Sequence, residues 1–143
     1  MHRIVFQTPD GIEIENPEIR QLMEYIIDEF PEYWHQGNGG GILDFEDETK
    51  GRRRRLLILP NDEFGIYLQY IKKDNNEETW LSLCNGLELK ITAECGEELY
   101  ASIGLFLPKE RAWLAIEEFC KTGERTDKID WISPSEIPEE GNW

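Results

Sequence analysis

The connections between the apolar segments of this chain constrain its fold more than any other feature. From Gly41 onward the apolar period is that of strands. Gly41, Leu43 and Phe45 alternate with Ile42, Asp44 and Glu46, Leu56 to Leu59 form a short continuous apolar run, and residues 64–71 alternate again. The links at 47–51, 60–63 and 72–78, and Asn85-Gly86 after 79–84, are all shorter than the dozen residues a parallel crossover needs. The strands they join must therefore run antiparallel, as a meander. Asn85-Gly86 is the dipeptide favoured in two-residue hairpins and predicts a tight return along 87–94, with Leu87, Leu89, Ile91 and Ala93 on one face and Glu88, Lys90, Thr92 and Glu94 on the other. Residues 3–7 and 11–15 flank Pro9-Asp10-Gly11 and predict a further hairpin at the N-terminus. Residues 99–107 can add another strand, and 129–132 a short extended return.

Two stretches have the helical period instead. Asn16-Pro17 reads as cap and first residue of a helix with the stripe Ile19, Leu22, Met23, Ile26 and Phe30, stopped by Pro31. The second helix starts at Pro108, places Ala112, Trp113, Ile116, Phe119 and Cys120 on one face, and ends at Gly123, which suits the left-handed position past a C-terminus. Each helix needs a surface to bury its stripe. The expected fold is therefore α+β: an antiparallel meander of about five to seven strands with two main helices packed on one face. It forms one domain over 1–133, followed by a loose acidic tail at 134–143.

The chain has 30 Asp and Glu against 15 Lys and Arg, a net charge of −15. Such a surface repels nucleic acid and anionic membranes and attracts basic partners; the same acidity also serves solubility. Cys84, Cys95 and Cys120 are odd in number and lack C-x-x-C spacing, and no run reaches the ~18 apolar residues of a membrane helix. A cytoplasmic protein without disulfides is expected. His2 and His35 lie in no zinc-binding pattern, so no metal or cofactor is indicated.

A helix ending in Phe119, followed by Thr122-Gly123, Arg125, an apolar Ile129 and Trp131, resembles the C-terminal signature of a large family of bacterial immunity proteins for polymorphic toxins. Known members include partners of nucleic-acid deaminase toxins. The resemblance covers most of residues 34–131, including the Gly-rich turn that enters a strand at 39–45, with Thr126 standing where the family pattern has proline. It implies a non-enzymatic inhibitor that binds a cognate toxin domain and blocks its active site.

The partner-binding candidates are the acidic loops. Asp44, Glu46, Asp47 and Glu48 surround one turn, Asp74, Glu77 and Glu78 another, and Trp80 offers an aromatic anchor. Tyr33, Trp34, Tyr67 and Tyr70 could supply further anchors, although most of these aromatics read individually as core. Arg52 to Arg55, bracketed by acids and not interleaved with aromatics, read as a strand edge or entrance held soluble by charge. Two other classes stay open. One is a small enzyme built on the Gly-rich loop 37–41, including Asn38, or on Cys95, the cysteine expected to be exposed beside Gly96. The other is a generic acidic adaptor.

Overall fold

The computed structural model describes residues 2–37, 39–96 and 98–143. In chain order the strands are β1 (Arg3–Gln7), β2 (Glu13–Glu15), β3 (Gly41–Asp47), β4 (Arg52–Asn61), β5 (Gly65–Lys72), β6 (Glu78–Leu83), β7 (Thr92–Glu94), β8 (Tyr100–Ser102), β9 (Phe106–Leu107) and β10 (Asp130–Ile132). The helices are α1 (Ile19–Met23), which continues as a π-helical turn over Glu24–Asp28, and α2 (Lys109–Thr122). The main sheet is antiparallel and eight-stranded, ordered β10-β6-β5-β4-β3-β1-β2, with β9 also on β5. The short links thus act as expected, and the fold is α+β.

Strand alternation divides the sheet between two cores. Leu43, Phe45, Leu56, Ile58, Leu68 and Tyr70 point to the face covered by the helices, where they meet Leu22, Ile26, Ile116 and Phe119. Leu59, Tyr67 and Leu81 point the other way, toward Cys95, Ala101 and Leu105. That second face is covered by a two-stranded layer, β7 with β8. Where β6 and β9 share the edge of β5, the buried Ser82 hydroxyl accepts from the Leu68 N–H (2.9 Å) and donates to the Leu105 carbonyl (2.7 Å). One side chain thus satisfies the backbone groups that the split in the sheet would strand.

Three expectations need correction. The hairpin after Asn85-Gly86 does not form. Asn85 and Gly86 do turn the chain, but the edge of β6 opposite β5 is occupied by β10, with Ile132 opposite Leu81 and Asp130 opposite Leu83. The chain after the turn leaves the sheet, and Leu87 is 95% exposed. The first helix starts later than Asn16, because the Asn16 side chain accepts from the Ile4 N–H (3.0 Å) to close the β1–β2 hairpin. Of its stripe, Leu22 and Ile26 are buried whereas Met23 is exposed. Finally, the segment expected as a loose tail is held in place. Ser133 and Glu136 form a capping box over Pro134–Glu136. Asn142 then exchanges bonds with Ser102, accepting its N–H (2.9 Å) and donating to its Oγ (3.1 Å).

Candidate functional site

Antiparallel strands bring the β3–β4 and β5–β6 turns out at one end of the sheet, so the two acidic loops meet there. They arrive with their own counter-charges. Asp44 receives Arg55 through two bonds, from Nε (2.7 Å) and Nη2 (3.1 Å). Asp74 receives Arg54 likewise (3.3 and 2.6 Å) and also accepts the Arg53 N–H (2.8 Å). Arg54 reaches further, to Glu124 (2.8 Å) and to the Gly123 carbonyl (3.2 Å), which the Tyr70 hydroxyl also caps (2.9 Å). Burial alone would lower the Arg54 pKa, but the bonds to Asp74 and Glu124 outweigh it and hold it above the ordinary value. The hydrogen bonds from Arg54 in turn hold the Asp74 carboxyl below the usual range.

The arginine run is therefore not at an edge. It stands at the entrance of β4, the other position expected for it, where Arg52 and Arg53 pair with β3 and Arg54 and Arg55 with both β3 and β5, and Arg54 is buried at 4% exposure. Several predicted site residues change role with it. Asp44 and Asp74 are committed to arginines, and Asp47 is buried, accepting the Lys50 N–H at 3.4 Å in the β3–β4 turn. Glu48, Glu77 and Glu78 are exposed, whereas Glu46 is half-buried opposite Arg53. Trp80 is half-buried under the Arg125 guanidinium, 4.2 Å from its ring centre, and its Nε1 donates to Glu78 (3.3 Å). At this end residues 44–55 and 72–78 together hold seven acids against seven basic residues, so it is close to neutral.

The signature residues lock α2 to the same end. Gly123 has φ +72°, and a Cβ there would lie 2.6 Å from the Phe45 ring, so only glycine lets the helix end so close to β3. Phe119 meets the rings of Phe45 and Tyr70 edge-on. Arg125 covers Trp80, Ile129 is buried, and the Trp131 Nε1 donates to the Thr126 carbonyl (2.9 Å). These contacts are scaffold, made within the chain.

A cleft of about 560 Å³ joins the two features of the enzyme alternative. Gly37 and Gly39 line it on one side, Gly96 and Glu94 on another, and a His35–Asp62 pair (2.7 Å) at its rim. Gly37 has φ +56°, and a Cβ there would collide with the Pro9 carbonyl at 1.7 Å, so the glycine serves close approach. Asn38 lies outside the described residues. Cys95, expected to be exposed, is 2% exposed, and burial pushes its thiol up to about 11. Cys120 is pushed up to about 12 by the same cause, and Cys84, expected in a strand, is the exposed one. No group of three or more His, Cys, Asp or Glu that could hold a metal occurs among the described residues.

Sequence reasoning missed a further surface. Of seven large apolar side chains exposed among the described residues, five, Leu87, Ile91, Leu99, Tyr100 and Trp143, lie on or beside the β7–β8 layer. Alternation had placed Leu87 and Ile91 with Leu89 and Ala93 on the apolar face of a hairpin strand. Period alone does not tell a covered strand from an uncovered one, and the signal lay in residues 130–132, which take the place of the expected return strand. Acids accompany these groups. Residues 87–100 carry four acids against one lysine, and 134–143 carry three with no basic residue. No protein-family model matches the chain, and no curated protein matches it.

Proposed function

We propose that this chain is an immunity protein: a non-enzymatic inhibitor that binds a cognate bacterial toxin domain, one acting on nucleic acid, and blocks its active site. The observation that carries the reading is how charge is distributed. Two arginines of the chain's one basic run are turned onto Asp44, Asp74 and Glu124, while the β7–β8 layer and the tail keep their carboxylates exposed. A toxin that cleaves or deaminates nucleic acid needs a basic groove for phosphate, and an acidic protein can fill that groove in its place. The resemblance of the segment from Phe119 to Trp131 supplies the class, and the structure gives that segment a scaffold role that an inhibitor with a separate binding face would need.

Co-expression with the C-terminal domain of the toxin encoded beside this chain tests the proposal. The two should co-purify, and the toxin should lose activity in proportion to the amount of inhibitor. A chain that leaves the neighbouring toxin fully active removes the proposal and favours the acidic adaptor.

The cleft supports a second reading, a small enzyme centred on His35 and Asp62. The pair is exposed and sits where the glycine loop meets Gly96. On that reading His35→Ala and Asp62→Asn abolish function, whereas an inhibitor with its face elsewhere keeps full protection with both. Cys95 is a poor nucleophile on either, because the burial that raises its pKa leaves little thiolate at neutral pH.

A further inference from the structure

The β7–β8 layer has a third rung. Beyond its pairing with β7, the Ser102 N–H donates to the Asn142 carbonyl (2.9 Å), and the Asn142 side chain donates to the Tyr100 carbonyl (2.6 Å), so the C-terminal residues run along the free edge of β8. The inward residues of the layer, Ala93 and Ala101, pack toward the second core. Tyr100, opposite Glu94 on the outward face, is 51% exposed and Trp143, next to Asn142, 48%, while Ile91 and Leu99 share the inward register but stand just before β7 and β8 and are also exposed. We propose that this layer is the surface on which the chain docks its partner, and that the partner presents a basic protein surface there. The proposal rests on the inhibitor reading and adds where the contact is made.

Three physical arguments converge on that occupant. Exposed aromatic groups are what a protein interface uses as anchors, and here Tyr100 stands on the outward face of the layer opposite Glu94, with Trp143 next to the Asn142 that lines the edge of β8. Their rim is acidic, with Glu88, Glu94, Glu139 and Glu140 all exposed, and no ion pair among the described residues involves any of the four. A second copy of a −15 chain, a nucleic acid and an anionic membrane all bring like charge to that rim. A basic protein surface brings the opposite charge and can cover the apolar centre, an arrangement of central anchors and polar rim. The layer is also built for it. Its rungs are held by backbone bonds and by the Ser102 hydroxyl, which donates to the Leu89 carbonyl at 2.6 Å, so Tyr100 is carried on a fixed strand and Trp143 follows the anchored Asn142.

The test titrates the chain against the C-terminal domain of the toxin encoded beside it, measuring association and dissociation rates at low and physiological salt. Tyr100→Ala with Trp143→Ala should weaken binding by about 100-fold or more, mostly through faster dissociation, since truncated central aromatics typically cost about 30-fold each. Glu88→Lys with Glu94→Lys should slow association, and more so at low salt. Glu46→Lys with Glu48→Lys, at the near-neutral sheet end, should leave both rates unchanged. Hydrogen exchange on the unaltered complex gives an answer independent of any variant: amides of residues 91–102 should slow on binding. If the parent chain binds while the aromatic variant binds equally well and exchange at 91–102 is unchanged, the docking surface is elsewhere and the inhibitor reading survives. If the parent chain does not bind, both readings fall.

Discussion

At the end of the sheet formed by the β3–β4 and β5–β6 turns, acids and arginines alternate, and the inner carboxylates are spoken for. Asp44 holds Arg55, and Asp74 and Glu124 hold Arg54. On the β7–β8 layer, Glu88, Glu94 and Glu98 stand exposed beside Tyr100, Leu99 and Ile91 with no ion pair among the described residues. The two regions draw on similar residue types. What separates Asp44 and Asp74 from the glutamates of the layer is whether the chain itself supplies the partner: a carboxylate that already has its arginine is oriented for stability, whereas one without leaves its field for an approaching molecule. Acidic composition alone therefore does not locate a binding face.

Breaking the first region should be costly. Phe119 is 1% exposed and wedged between the Phe45 and Tyr70 rings, so Phe119→Ala is expected to destabilise by about 3–5 kcal/mol in urea denaturation. A change under ~1 kcal/mol would mean that α2 does not pack on the sheet as described. Arg54→Ala comes next. Removing one partner of a fully buried pair costs about 3–5 kcal/mol, but Asp74 and Glu124 retain 17% and 48% side-chain exposure and can recover water, so about 2–3 kcal/mol is expected. A loss confined to a few tenths would show that the guanidinium only decorates the sheet end.

The contrast also explains what could be read in the sequence. The meander was legible because link length is a local property, and α2 was legible because Gly123 marks its end and its stripe spans four turns; the helix proper begins at Lys109, one residue past Pro108. The Asp44–Arg55 pair joins residues directly opposite in a meander, and local acids were the expected balance for the arginines. Arg54 with Glu124 was not legible, since the partners are 70 residues apart and meet only because α2 ends over β4. The same holds for the layer. Asn85-Gly86 makes its turn, but whether the returning chain pairs with β6 depends on β10 arriving from the far end of the sequence. Long-range competition for an edge leaves no mark in the local period, so Leu87 and Ile91 look alike whether covered or bare.

Acid titration sharpens the comparison further. The hydrogen bonds from Arg54 lower the Asp74 pKa in the folded protein. A depressed folded value means that the stability Asp74 contributes is fully present above its unfolded value of about 4 and is lost as pH falls through the lower folded value. The parent protein should therefore lose more stability on going from about pH 5 to below pH 3 than Asp74→Asn does, read as urea midpoints at both values. Equal losses would place the acid sensitivity in other carboxylates.

The smallest expected effect belongs to the layer, and its smallness is the point. Tyr100 and Trp143 are about half exposed, their side chains fill no described cavity, and the bonds that hold the rungs come from Tyr100 and Asn142 backbone and amide groups that survive truncation. Tyr100→Ala and Trp143→Ala should each shift stability by no more than about 0.5 kcal/mol, as surface changes do. Leu87→Ser, at a side chain 95% exposed, should shift it least. If these changes cost the fold as little as expected, the exposed apolar groups of the layer are retained for something other than folding. If instead Tyr100→Ala destabilises by as much as Arg54→Ala, the layer is part of the core's support, and its exposed aromatics are structural after all.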